Sequence, residues 1–335
     1  MAVPGGGARR RPGRRRRRGD PAAADPLGAH RARAAGQPGA PSRGGGAAGD
    51  RTGLPATGTR RCGLAGQPSA PGRELDMSWQ PELVLAPNAG PMTLEGTNTW
   101  LLAPPGEPAV VIDPGPDDPG HLAAIESLCP QGIREIWVTH HHADHLEAAP
   151  VLAARAGSEV RAYDPELCDR PLTDGETVEL GGRELLVRHI PGHTADSIGF
   201  LLGDDFFSGD MVLGRGTTVI MHPDGDLAAY LDSLTVMQDL VADRGVRRIL
   251  PGHGPIVDDP AERLAHYREH RLERLQQVRD ALAAGARTAE EVVAVVYPDV
   301  DEGVRRAAEA SARAQLAYLA WGRFSGRGAR PAPGR

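Results

Sequence analysis

The chain has 335 residues, with 38 basic and 44 acidic side chains and a formal net charge of −6. That length is ample for one full-sized domain and a smaller second one. No stretch approaches the roughly 20 apolar residues of a membrane span, the Arg-rich start lacks the apolar core of a secretory signal, and three scattered cysteines, Cys62, Cys129 and Cys168, exclude a disulfide framework.

A cytoplasmic enzyme with no membrane contact and no obligate protein partner is the simplest reading. Residues 1–76 hold 15 arginines against 5 acids, including Arg14 to Arg18, and almost no large apolar residue. Such a segment cannot bury enough surface to offset its ordering entropy, so it reads as a disordered extension. The chain has no lysine, and the bias to Arg, Ala, Gly and Pro fits translation of GC-rich sequence. Met77 opens a run that leads straight into a folded pattern, which makes it the expected natural start. The rest of the chain holds 23 arginines and 39 acids, a strongly acidic body.

Strand-like runs follow at 83–85, 99–102, 109–112, 136–139, 159–162, 185–190, 199–202 and 248–250. Helix-like runs at 120–128, 144–156 and 227–243 alternate with them, and either Asp224 or Asp226 caps the last. Alternation of this kind predicts a layered α/β domain over 77–258. After His253 the pattern turns helical. Residues 261–282 place Leu264, Tyr267, Leu275, Val278 and Leu282 on one stripe, with arginines around it. Thr288 and Glu291 form a capping box before the apolar run 292–296. Pro298 ends that element, and a third helix is expected over 302–321. These helices make a small domain over 259–325, followed by a disordered tail over 326–335.

The chemistry concentrates in Thr139-His140-His141-His142-Ala143-Asp144-His145, which follows the strand-like run 133–138. Extended geometry sends i and i+2 to one side, so His140 and His142 can converge on one ion. Where the chain turns into a helix, Asp144 and His145 can reach a second. Imidazole with carboxylate suits zinc, with iron or manganese as substitutes. Further ligand types follow β-rich runs beside glycines: Asp113 before Pro-Gly, His193 in Pro-Gly-His-Thr, Asp210 after Ser-Gly, and His253 in Pro-Gly-His-Gly. Singly, each has an ordinary reading, Asp210 as a helix cap or Asp113 as a turn acid. Together and in this order, they make a metal site. His121, His141, His189, His266 and His270 join no constellation and are read as structural.

This set resembles the metallo-β-lactamase superfamily over residues 82 to 256. The resemblance implies a four-layer αββα sandwich with the metals at one edge between two sheets. It implies His140, His142 and His193 on one metal, Asp144, His145 and His253 on the other, and Asp210 bridging both. Asp113 would lie outside these ligands and hold a histidine in place. Two zinc ions per chain are the expected cofactors. They would lower the pKa of a shared water, and Asp144 would orient that nucleophile and take its proton. His222 is a candidate for contact with substrate and leaving group.

The tail and the segment 88–99 resemble the β-lactamase-like-protein-2 group with its winged-helix-like C-terminus, as do 214–218 and 223–226. That likeness implies phosphodiester hydrolysis of single-stranded RNA, with the Arg-bearing helix 263–279 as a possible phosphate contact. Against it, nucleic-acid binders usually show a basic footprint, and this body is acidic. The alternative is hydrolysis of a thioester or other small acyl substrate, as in glyoxalase-II-like and carrier-protein thioesterase relatives. Lesser readings are a mononuclear iron dioxygenase, which shares the first motif, and a DNA- or partner-binding module.

Overall fold

Ten short strands form two sheets among the residues that the computed structural model describes, 79–298 and 302–324. The expectations for residues 1–76, for Met77 and for the 326–335 tail lie outside the described residues. The first sheet pairs β1 (Glu82–Leu85), β2 (Asn98–Leu102), β3 (Ala109–Ile112), β4 (Ile133–Trp137) and β5 (Glu159–Arg161) in that order. The second is built from β6 (Thr177–Leu180), β7 (Arg183–His189), β8 (Ile198–Leu202), β9 (Asp205–Gly209) and β10 (Arg248–Pro251), with β10 at one edge and β6 at the other. Both sheets are mixed: β3, β4 and β5 run parallel, as do β9 and β10, and the other pairings are antiparallel.

Every residue of β2, β3, β8 and β9 is buried, because both faces of these strands are covered. Between the sheets Trp137 meets Phe200 with ring centroids 5.0 Å apart, and Trp100 meets Phe207 edge-on at 5.9 Å. Outside the first sheet α1 (Pro119–Ser127) and α3 (Ala149–Ala156) bury Leu122, Ile125 and Leu152 on Val111, Ile136 and Val160. Outside the second, α4 (Leu227–Arg244) and α5 (Pro260–Ala283) bury Leu234, Met237, Leu264 and Tyr267 on Leu201, Phe206 and Ile249. The result is the expected αββα sandwich.

The helix read over 144–156 is two helices. Pro150 lacks the N–H that a continuous helix needs. The chain therefore makes a short α2 (Ala143–Leu146) and restarts at α3, with the proline in its first turn. Strand β6 adds to the strand-like runs expected from the sequence, and β9 is the β-rich run read before Asp210. Asp226, not Asp224, caps α4, its carboxylate accepting from Ala229 N at 2.8 Å.

The capping box of Thr288 and Glu291 is present at α6 (Ala289–Val296), and α7 (Glu302–Phe324) follows. Val278, Val292, Val293 and Ala312 join these helices into one small core. Both α5 and α7 are long rather than short elements. Among the described residues, no helix is long and apolar enough to cross a membrane.

Candidate metal centre

The ends of both sheets meet at one edge, and backbone hydrogen bonds fix that meeting. Asn98 N donates to Gly252 O at 2.8 Å, while its side chain donates to Pro251 O and Gly254 O at 3.0 and 2.8 Å. Asp113 follows β3, His140 follows β4, Asp210 follows β9 and His253 follows β10. Glycine lets these loops close. A Cβ on Gly252 would lie 2.6 Å from Asp210 Oδ1 and 2.7 Å from His145 Cε1, so only glycine fits between them.

The seven residues proposed as ligands converge. His142 Nδ1 lies 3.1 Å from His140 Nε2 and 3.1 Å from His193 Nε2. His145 Nε2 lies 3.2 Å from His253 Nε2, and Asp144 Oδ2 lies 3.1 and 3.7 Å from His253 and His145. Asp210 stands between the two sets, with Oδ1 3.5 Å from His145 Nε2 and Oδ2 3.5 and 3.8 Å from His253 and His193. In each triad, His140/His142/His193 and Asp144/His145/His253, the ligand-type atoms lie within 4.8 Å of one another.

The outward nitrogens are tied, which sets the tautomers. His193 Nδ1 donates to Val219 O at 2.7 Å, so it presents a bare Nε2 to the centre, and His253 Nδ1 donates to Gly96 O at 3.1 Å, which turns its Nε2 to the same centre. His145 Nδ1 meets Asp113 Oδ2 at 2.8 Å, and Asp113 also accepts from Thr139 N and Oγ1 at 2.7 Å. Asp113 thus stands where its expected holding role requires.

Whether a metal suits this centre is tested by its unsatisfied atoms. Asp210 Oδ1 is buried and accepts no hydrogen bond, although His145 Nε2 is near. Inward-facing imidazole lone pairs repel unless a cation or proton lies between them. An orphaned carboxylate oxygen among convergent nitrogens has the same need. The nitrogen and oxygen donors fit divalent metals of the zinc type.

The two halves differ in charge. Burial, followed by the neighbouring His145 and His193, holds His140 well below the usual imidazole range. Burial takes His142 down to about 4 and lowers His193 as well. Burial also works against the charge on His145, but Asp113 and Asp210 outweigh it and hold that ring well above its ordinary range. The same contest, won by Asp210 and Asp144, raises His253 to about 9. Asp210 stays ionised well below the carboxylate range because His253 and His145 outweigh its burial. Asp144 is lowered too, its bond to His253 overcoming desolvation.

Beside Asp210 and His193 lies a cavity of about 170 Å³, walled by Pro91, Met92, Leu94, Leu213 and Val219. The guanidinium in its described lining, Arg215, is paired with Glu95 at 2.5 Å. His222 is not brought to this cavity. It is exposed and lines a separate hollow with Ala314 and Tyr318, because the 221–226 turn carries it toward α7. His141 does not stand apart as expected: its ring lies 5.0 Å from that of His142, and its Nδ1 meets Asp196 Oδ1 at 2.9 Å. His121 and His189 are structural, as read. His121 Nε2 bonds Thr99 Oγ1 at 3.0 Å, and His189 stacks on Tyr163 at 3.9 Å.

Sequence reasoning missed the support behind His193. Arg263 donates to Leu213 O and Gly216 O, and Arg271 donates to Thr218 O at 2.5 Å. Arg268 goes to Leu231 O at 3.3 Å. These arginines of α5 are turned onto backbone carbonyls; Arg263 and Arg271 hold the loop whose Val219 carbonyl orients His193, and Arg268 ties α5 to α4. Alternation of Arg and Leu along α5 was visible, but the carbonyl partners lie about 40 to 50 residues away in sequence.

Comparison with known proteins agrees with this geometry. A family profile described as "Metallo-beta-lactamase superfamily" matches residues 92–167 and 147–253, and one described as "Beta-lactamase associated winged helix domain" matches 288–320. The chain is 33% identical over 245 residues to a beta-lactamase-like protein 2 homolog of Caenorhabditis elegans, covering 67% of this chain and 79% of that protein. It is 33% identical over 241 residues to an atrochrysone carboxyl ACP thioesterase of Aspergillus chevalieri, covering 67% and 75%. A metallo-beta-lactamase family protein from Thermus thermophilus shares the fold, with a TM-score of 0.62 at 24% identity over 74% of this chain and 96% of that one.

Proposed function

Since this chain belongs to the metallo-beta-lactamase superfamily and is a hydrolase of that kind, we propose that it uses two divalent metal ions, zinc by donor type, to hydrolyse acyl thioesters. The observation that carries the two-metal reading is the pair of donor triads flanking the unpaired Oδ1 of Asp210. His140, His142 and His193 would hold one ion, and Asp144, His145 and His253 the other, with Asp210 shared. Such ions lower the pKa of water and neutralise charge growing on a substrate oxygen.

The chain's own groups do the rest. Asp144 Oδ2 lies on the open side of the centre, where the side chain is 30% exposed, and it orients the attacking water and accepts its proton. Asp113 keeps His145 in register through its 2.8 Å bond. Water adds to the carbonyl carbon, the C–S bond breaks, and the sulfur leaves as thiol with the proton. The products are a carboxylic acid and a thiol.

The cavity supports an acyl substrate. Pro91, Met92, Leu94, Leu213 and Val219 give it an apolar wall, and its guanidinium is already paired with Glu95. The relative named as an ACP thioesterase points the same way. Single-stranded RNA is the second reading, supported by the likeness to beta-lactamase-like protein 2 homologs. A panel on purified, metal-loaded protein decides, using an acyl thioester, a labelled single-stranded RNA, a bis-phosphodiester and a lactone. The thioester should turn over fastest. RNA cleavage outpacing it would overturn the acyl reading, and iron near one equivalent with oxygen uptake would instead favour a dioxygenase.

A further inference from the structure

A second cleft, of about 290 Å³, opens between α5, α7 and the loop 217–219. It shares Pro91, Met92 and residues 217–219 with the cavity at the metal centre, so the two are neighbours across one wall. Its chemistry is opposite. The described lining includes His270, Arg271 and Arg274 and no carboxylate, although the body as a whole is acidic.

Two residues that line this cleft carry a buried donor without an acceptor. Arg271 is only 5% exposed, and its Nε has no hydrogen-bond partner. Its remaining contacts fix it in place: Nη2 bonds Thr218 O, and the guanidinium stacks over Tyr230 at 5.0 Å. His270 Nδ1 is likewise buried and unpartnered. Arg274 Nε approaches His270 Nε2 at 3.5 Å as donor, which leaves the imidazole proton on Nδ1. Arg274 itself stacks on Tyr297 at 4.8 Å. Buried N–H groups are normally satisfied, so two orphaned donors beside a second guanidinium mark the place of an acceptor. Planar guanidinium groups suit phosphate oxygens.

We propose that this cleft is a phosphate subsite, which holds the phosphate end of the substrate's leaving arm while the acyl carbon lies at Asp210 and His193. Its role rests on the thioester reading, and the thiol so held would be of the phosphopantetheine type. Pro91, Met92 and Val219 are common to the linings of the two cavities, which sets the two ends side by side.

The test has two arms on the full, metal-loaded chain. In the first, inorganic phosphate is titrated while the guanidinium Nε–H resonances of Arg271 and Arg274 are followed. Both should shift in the wild type, and the Arg271 shift should weaken about tenfold in apparent affinity in Arg274→Gln. In the second, acyl thioesters of pantetheine with and without its phosphate are compared. The wild type should favour the phosphorylated one by about tenfold in kcat/KM, through KM. Arg274→Gln should remove that preference and leave the unphosphorylated thioester unchanged, and Arg274→Lys should restore part of it. Resonances that ignore phosphate overturn the subsite, whatever the enzyme hydrolyses. Shifted resonances without turnover of either thioester uphold the subsite and overturn only the thioester reading. Equal loss on both thioesters in Arg274→Gln, with the fold intact, overturns the proposal.

Discussion

Asp113 and His145, 32 residues apart in sequence, meet at 2.8 Å in a fully buried contact beneath the metal centre. Asp113 adopts a left-handed backbone, with φ of 51°, to reach that position. Asparagine tolerates this region and keeps the shape while losing the charge. Asp113→Asn should therefore fold but bind metal about 10- to 100-fold more weakly at the Asp144/His145/His253 half. Metal content after graded chelator dialysis, with circular dichroism as the fold control, checks it.

Gly252 separates Asp210 from His145 at a distance that leaves no room for a methyl group. Gly252→Ala should push the two apart and lower kcat by about 100-fold, the scale of loss for a misplacement near 1 Å. The same clash should cost about 1–3 kcal/mol of stability, and steady-state kinetics below the melting transition separate the lost kcat from unfolding.

Metal-free protein should be most stable near pH 6.5. His145 and His253 have raised folded pKa values, so their stabilisation is full below the ordinary imidazole pKa and is lost as pH rises through the folded values, which for His253 is about 9. His140, His142 and His193 are lowered, so they destabilise as pH falls below about 6.5, for His142 down to about 4. The same asymmetry governs loading. The neutral His140/His142/His193 half should fill first near neutral pH. The second half must release protons, so its affinity should climb as pH rises toward 9. Thermal melting across pH and metal titrations in buffers of different ionisation enthalpy measure both effects.

Arg271 joins α5 to Thr218, whose hydroxyl lies 3.2 Å from His193 Nδ1. Arg271→Met should leave Thr218 O unpaired and destabilise the protein by about 1–3 kcal/mol. It should also loosen His193 and weaken metal binding at the His140/His142/His193 half. Chemical denaturation and metal content report the two effects separately.

The candidate ligands were legible in the sequence because each sits in a short motif at a strand end, where the local pattern of apolar run, glycine and ligand type carries the information. Asp113 was readable for the same reason. The edge strand β6 was not, because its exposed and half-exposed residues give no apolar run. The pairing of His141 with Asp196 spans 55 residues and depends on how two loops close over each other. The inward turn of the α5 arginines was also hidden, since a charged helix face looks the same whether it meets solvent or backbone carbonyls. Pro150 could have divided the helix at 144–156 on sequence grounds alone.

The central claim is that two metal ions sit among these seven side chains. Anomalous diffraction from zinc-loaded crystals at the zinc edge addresses it directly. Two peaks are expected, one within His140, His142 and His193 and one within Asp144, His145 and His253, with Asp210 touching both. A single peak, or peaks away from Asp210, would contradict the account.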